Sequence, residues 1–67
     1  VTDAAIISIG NELISGHVNN TNAPFIANIL KSLGIETKLI ITVGDESTRI
    51  GEVLRNLSPE IKLVLMT

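Results

Sequence analysis

An apolar, β-branched run that halts at a glycine does most to limit what this chain can become. Ile6, Ile7 and Ile9 lead into Gly10, a polar loop carrying Glu12 follows, and an Asn/Thr cluster at Asn20, Thr21 and Asn22 opens an amphipathic segment. This reads as a strand, a loop and a helix start. The apolar residues from Ala4 to Ile9 are nearly continuous instead of alternating, which suits a strand covered on both faces, so it is expected at the centre of a sheet. In an open parallel sheet, ligands bind beyond the carboxyl ends of the strands, where helix N-termini also converge. The stretch from Gly10 to Asn22 is therefore where function is sought first.

The rest of the chain repeats the alternation. Gly10 to Asn19 reads as a loop, with Gly10 and Gly16 available for backbone angles that other residues avoid. Leu13, Ile14 and Val18 suggest that it folds back on the domain or a neighbour. Asn20, Thr21 and Asn22 are good N-cap types, Pro24 falls in the first helical turn, and Ile26, Ile29, Leu30 and Leu33 gather into one apolar stripe. Gly34 is placed to end that helix in a left-handed conformation, with Ile35 packing beside it. Ile35 to Val43 is a second strand whose mixed outer face puts it nearer the sheet edge. Gly44-Asp45 turns the chain, with Asp45 as the expected N-cap of a second helix striped by Ile50, Val53, Leu54 and Leu57 and stopped at Ser58-Pro59. Ile61 to Met66 is a third strand. The expected fold is α/β: β-α-β-α-β with a parallel sheet, right-handed crossovers and a three-layer α/β/α arrangement.

Composition sets limits on partners. The chain has 67 residues, one aromatic (Phe25) and no Cys. A domain this small buries only about 60% of the surface its unfolded chain exposes, and no disulfide or cysteine metal site can supplement the core. Something more is expected to complete it: a partner, such as a second copy in a homo-oligomer, or the remainder of a longer polypeptide. The net charge is −2, with Lys31, Lys38, Arg49, Arg55 and Lys62 scattered along the chain. Phosphate neutralisation along a nucleic acid needs concentrated positive charge, so nucleic acid is not expected as the main partner. No apolar run approaches the roughly 18 residues of a membrane span and no signal-peptide pattern opens the chain, so the expected setting is cytoplasmic.

Few residues offer chemistry. Glu12 stands alone among small and apolar neighbours at the mouth of the sheet. It could ligate a hard cation such as Mg²⁺, hydrogen-bond a ribose or act as a general base, and it could equally be a solvated loop carboxylate. Asn20, Thr21 and Asn22 are capping residues by type, and the helix end they organise could also present N–H groups to an anion. Asp45 needs no ligand to explain it as a cap. It nevertheless ends a parallel strand as Glu12 does, and two carboxylates on one rim could hold a metal over a pyrophosphate. His17 has no companions and reads as a surface residue. There is no G-x-G-x-x-G, Walker lysine, Cys-x-x-Cys or G-x-S-x-G pattern.

The run Ile-Ile-Ser-Ile-Gly-Asn-Glu-Leu-Ile-Ser-Gly-His-Val-Asn-Asn-Thr-Asn-Ala, followed by Leu-Gly-Ile-Glu and Val-Gly-Asp-Glu, resembles the N-terminal domain of the CinA (competence/damage-inducible) family, within the molybdopterin-binding MoaB/Mog-like superfamily. The likeness runs from about Ala4 to Thr67, so that residues 1–67 correspond to the N-terminal part of a single domain of this type. It implies a three-layer cofactor-handling fold. Some relatives bind molybdopterin, and CinA-type relatives are associated with metal-dependent hydrolysis of ADP-ribose-like pyrophosphates, often beside a separate amidase domain. Carried over by match, Gly10, Glu12 and Gly16 form the signature loop, Asn20, Thr21 and Asn22 the helix-start signature, and Asp45 the acidic position after the second strand. Asn11 stands where relatives vary, and here it removes a possible second carboxylate. The resemblance thus implies Glu12 and Asp45 as catalytic and metal-handling residues. Gly10, Asn11, Gly16, Asn20, Thr21 and Asn22 would contact the nucleotide or pterin, with a divalent metal and molybdopterin as possible cofactors. In the family a Thr-Gly-Gly-x-Gly loop begins at the position of Thr67, so the chain is expected to be a piece of a longer protein.

Overall fold

In a computed structural model, residues 2–16 and 19–67 are described. The elements run β1 (Thr2–Ile9), α1 (Asn11–Ile14), α2 (Asn22–Ser32), β2 (Ile35–Val43), α3 (Ser47–Arg55) and β3 (Ile61–Met66). The sheet order is β2-β1-β3 and both pairings are parallel. The expected α/β fold with β1 at the centre and β2 at an edge is therefore the observed one. β1 starts two residues earlier than its apolar run, because Thr2 and Asp3 already pair with Ile35 and Glu36.

Strand pairing explains why β1 dominates the core. Ala4, Ala5, Ile6, Ile7 and Ser8 are all fully buried. Alternation sends Ala4 and Ile6 to one face, where they meet Ala23 and Leu30 of α2, with Ile26, Ala27, Ile35, Leu63 and Leu65 packed around them. Ala5 and Ile7 point to the other face. The β1-to-β2 and β2-to-β3 connections cross the sheet in opposite directions, so right-handed crossovers put α2 and α3 on opposite faces, as a three-layer fold requires. Ile50 and Val53 of α3 are correspondingly half-buried.

Four local expectations change. The segment after Gly10 is not all loop: Asn11–Ile14 forms the short helix α1, ended by Gly16 at φ 81°, and Ile14 points outward. Val18 and His17 lie outside the described residues. The buried stripe of α2 is Ala23, Ile26, Ala27 and Leu30, whereas Ile29 and Leu33 are exposed. Alanines at 23 and 27 let the helix backbone approach the sheet closely, and this turns the larger Ile29 and Leu33 out of the interface. Asp45 is not the cap of α3; that position is Glu46, without a side-chain cap bond. Finally, α3 stops at Arg55, before Leu57, where Asn56 Nδ2 donates to the Glu52 carbonyl oxygen at 2.8 Å. Gly34, at φ 81°, ends α2 as expected.

Two substitutions test this packing. Ile6→Ala should remove about 2–5 kcal/mol of stability through the cavity it leaves, and Ala27→Leu about 1–3 kcal/mol by prising α2 from the sheet. Chemical denaturation followed by circular dichroism reads both. A near-neutral Ala27→Leu would show that α2 does not lie close on β1 and β2.

Candidate functional site at the carboxyl edge of the sheet

Three strand ends meet at one rim. The Ile9 N–H donates to the Thr67 carbonyl at 2.9 Å, the Thr67 N–H to the Ile7 carbonyl at 3.0 Å, and the Gly10 N–H to the Val43 carbonyl at 3.0 Å. These bonds knit the three strand ends together where the chain leaves the sheet. Helix α1 sits on the rim with a cleft on each side. One, of 200 Å³, is lined by Ser8, Glu12, Asn20, Thr21, Asn22 and Thr67 among others. The other, of 310 Å³, is lined by Asn11, Thr42, Gly44, Glu46 and Arg49 among others.

Two glycines make room for α1. A Cβ on Gly10 would lie 2.7 Å from Glu12 Oε1, so the Glu12 carboxylate folds back over the bare backbone that precedes it. The Gly10 φ of 163° is extended backbone open to any residue. Glycine at this position thus leaves room for this placement of the flexible Glu12 side chain, and does not, as expected from sequence, supply an unusual backbone angle. A Cβ on Gly44 would lie 2.8 Å from Asn11 Oδ1, the same oxygen that accepts the Asp45 N–H at 3.0 Å. Asn11 thus fastens the loop after β1 to the loop after β2. A carboxylate at position 11 could accept the same bond, but it would add a second negative charge beside Glu12.

Asn20 ties the strand to the helix. Its Oδ1 accepts the Ala23 N–H at 3.3 Å, which leaves Nδ2 to donate to Ser8 Oγ at 2.9 Å. A backbone N–H can only donate, so this pair of partners fixes which way the amide faces. The bonds also limit what the α2 terminus can offer an anion. The Ala23 N–H is taken by Asn20, Pro24 has none, and the Phe25 N–H bonds the Thr21 carbonyl at 3.4 Å. The side chains of Thr21 and Asn22 line the cleft beside Glu12, Asn19 and Thr67.

The structure brings Glu12 together with Asn20, Thr21 and Asn22 in one cleft, and joins Asn11 to Asp45 across the other side of α1. Glu12 and Asp45 lie along the same edge but line no common cleft. Gly16 lines neither; a Cβ there would meet nothing within 4 Å, and its positive φ ends α1. Sequence reasoning passed over Ser8 and Arg49 as site residues, and placed Thr67 as the start of the loop after the third strand. Ser8 had a visible signal as the one polar residue inside an apolar strand, whereas Arg49 had none beyond its place in the first turn of α3. A wider groove of 460 Å³ lies at the far end of α2, where Lys31 and Glu36 flank it.

Among the described residues no group of three or more His, Cys, Asp or Glu side chains could hold a metal ion. That donor set still fits Mg²⁺, which commonly keeps several waters and takes one or two carboxylates plus the phosphates of its substrate. Glu12 is the residue that would hold it.

The Ser8–Asn20 link should act as a unit. Ser8→Ala and Asn20→Ala are each expected to cost about 1–3 kcal/mol, because each leaves a partly or fully buried polar group unpaired. Their double variant should cost clearly less than the sum in a double-mutant cycle; additive losses would mean that the hydrogen bond is not formed in solution.

Comparison with known proteins agrees with this geometry. Residues 5–67 match the family model described as "Probable molybdopterin binding domain". A CinA-like protein of Thermotoga neapolitana is 44% identical over 64 residues, and one of Chloroherpeton thalassium is 47% identical over 64 residues. Each alignment covers 96% of this chain but only 16% and 15% of those proteins, so the chain spans about a sixth of their length. The crystal structure of CinA from Thermoplasma acidophilum, a protein described there as of unknown function, superposes with a TM-score of 0.89 at 34% identity, covering 97% of this chain and 40% of that one. The chain belongs to the molybdopterin-binding domain family, among its CinA-like members.

Proposed function

We propose that this domain binds a nucleotide pyrophosphate at the rim of its sheet, as part of a CinA-type protein that hydrolyses ADP-ribose-like substrates with a divalent metal. The observation that carries the reading is the first cleft. Among the described residues it combines one carboxylate, Glu12, with the neutral side chains of Asn20, Thr21 and Asn22 and no lysine or arginine. A bare phosphate would be repelled by such a lining. A phosphate that brings its own Mg²⁺, or a ribose hydroxyl that donates to the carboxylate, would be held.

The residues then divide the work. Glu12 holds the ion and its phosphate, Thr21 and Asn22 hydrogen-bond the sugar or phosphate oxygens, and Asn20 keeps the α2 terminus seated on β1. Asn11, bonded to the Asp45 backbone, fixes the loop after β2 on the other side of α1. Gly10 gives the Glu12 carboxylate its place, and Gly16 lets the chain turn away after α1. When bound, the metal would supply charge neutralisation for the phosphates and a lowered pKa for a coordinated water. The setting that goes with this reading is cytoplasmic, and the partner is a small molecule and not a nucleic acid, since among the described residues no basic side chain lines the cleft.

A second reading has a specific observation behind it: the family match describes molybdopterin binding, and a pterin carrying a phosphate presents similar chemistry to the same rim. Titration calorimetry with ADP-ribose and with molybdopterin separates the two.

The first reading makes a metal-specific prediction. In the full-length protein, Glu12→Gln should weaken ADP-ribose binding at least about tenfold in Mg²⁺, a loss of about 1.4 kcal/mol, and have little effect in EDTA. Hydrolysis of ADP-ribose should require divalent metal. A Glu12→Gln protein that binds and turns over ADP-ribose like the parent would remove the proposal.

A further inference from the structure

The second cleft of the rim carries charges that its own surroundings leave unused. Its 310 Å³ lie at the small end of the range for small-molecule sites, and Asn11, Ile14, Thr42, Glu46 and Arg49 are among its lining residues. Among the described residues Arg49 is the one basic side chain that lines either rim cleft. It stands in the first turn of α3, where the helix end is already positive and a further cation is disfavoured. Glu46, three residues before it, makes no side-chain cap bond. The two opposite charges line one cleft without pairing: the ion pair among the described residues is Lys38–Glu36. Asn11 commits its Oδ1 to the Asp45 N–H, which leaves Nδ2 as a neutral donor beside them. A local rule broken without local compensation is expected where a ligand supplies the compensation.

We propose that this cleft is a sugar-phosphate subsite, which takes a ribose 5-phosphate unit with its phosphate on Arg49 and its vicinal hydroxyls on Glu46. The mixture of signs selects that class. A lone anion drawn to Arg49 is repelled by Glu46, and a lone cation meets the reverse. A ribose 5-phosphate presents hydroxyl donors, which a carboxylate accepts, and phosphate oxygens, which match the fork of a guanidinium. Dinucleotide-binding folds use the same two residue types, a carboxylate for the ribose hydroxyl and an arginine for phosphate. The inference rests on the reading of the first cleft as a metal and pyrophosphate site, and extends it across α1. Asn11 and Glu12 are adjacent residues that line opposite clefts, so the clefts adjoin. One phosphate of a pyrophosphate then falls to the ion held by Glu12 and the next to Arg49.

Titration of ribose 5-phosphate and of AMP into the full-length protein in EDTA tests the subsite without the metal. The parent should bind at least one of them, and should prefer it about threefold or more over its 2-deoxy counterpart. Arg49→Met should weaken that probe about tenfold, with an unchanged circular dichroism spectrum because the side chain is exposed. Glu46→Gln should erase the preference for the 2-hydroxyl. Tighter binding of AMP assigns the subsite to the nucleoside half of the substrate and tighter binding of ribose 5-phosphate to the other half, and either supports the proposal. A parent that binds neither probe, an Arg49→Met protein that binds both like the parent, or indifference to the 2-hydroxyl would overturn it. Failure here is separable from failure at the first cleft. Mg²⁺-dependent binding of ADP-ribose that is lost in Glu12→Gln and unchanged in Arg49→Met removes this subsite alone. Sugar-phosphate binding that is lost in Arg49→Met, in a protein that never hydrolyses ADP-ribose, removes the hydrolytic reading and leaves the subsite standing.

Discussion

The whole architecture depends on β1 being paired in parallel on both sides. A parallel central strand has no free edge, and its side chains are covered on both faces, so every residue from Ala4 to Ser8 is removed from water. Parallel pairing also forces each connection to cross the sheet and start its next strand at the far end. All three strands therefore finish together, and the loops after β1 and β2 converge with Thr67 on one rim. A candidate site there follows from strand direction before any particular side chain is considered.

What converts that rim into a defined surface is a small set of amide groups. Asn11 reaches from the first loop to the Asp45 backbone, and Asn20 reaches from the start of α2 to the floor of β1 at Ser8. Both are neutral, and both use hydrogen bonds with fixed directions. Neither spends a charge on holding the loops together. Among the described residues, Glu12 is thereby left as the carboxylate of its cleft, beside an Asn20 already committed to Ser8 and Ala23. Neutral groups held in this way fix the shape of the rim in advance.

The strands were legible because apolar β-branched runs have few alternatives, and the left-handed end of α2 was legible because glycine at position 34 follows the last periodic residue. The orientation of α2 was not. Alanine is ambivalent between core and surface, so a pattern that weights Ile29 and Leu33 above Ala23 and Ala27 turns the helix by about 60°. Close approach of a helix to a sheet rewards small residues, and that preference becomes visible only once the two are docked. The cap of α3 failed for a related reason: Asp45 is a good capping type, but its backbone N–H is held by Asn11, 34 residues away in sequence. Local propensity cannot register a contact of that range. The candidate residues were legible as a rim, and the clefts that divide them were not, since the short helix α1 that separates the clefts carries no pattern long enough to be read.

The same misjudged helix links fold to assembly. Had the stripe of Ile26, Ile29, Leu30 and Leu33 faced the sheet, α2 would have left an ordinary polar exterior. Instead Ala23 and Ala27 join Ile26 and Leu30 against the sheet, and Ile29 and Leu33, which sequence reasoning also assigned to the core, stand outside it beside Phe25. A 67-residue chain with one aromatic ring has little apolar surface to leave uncovered. Placing its only aromatic side chain on the outer ridge makes sense if the core is completed by contact with another surface. Because α2 begins at the cleft and ends beyond Leu30, anything that grips Phe25 also steadies the turn holding Asn20, Thr21 and Asn22. Covering the outer face of α2 and ordering the end of the same helix that lines the cleft are then coupled through one rigid element, with no intermediate network required.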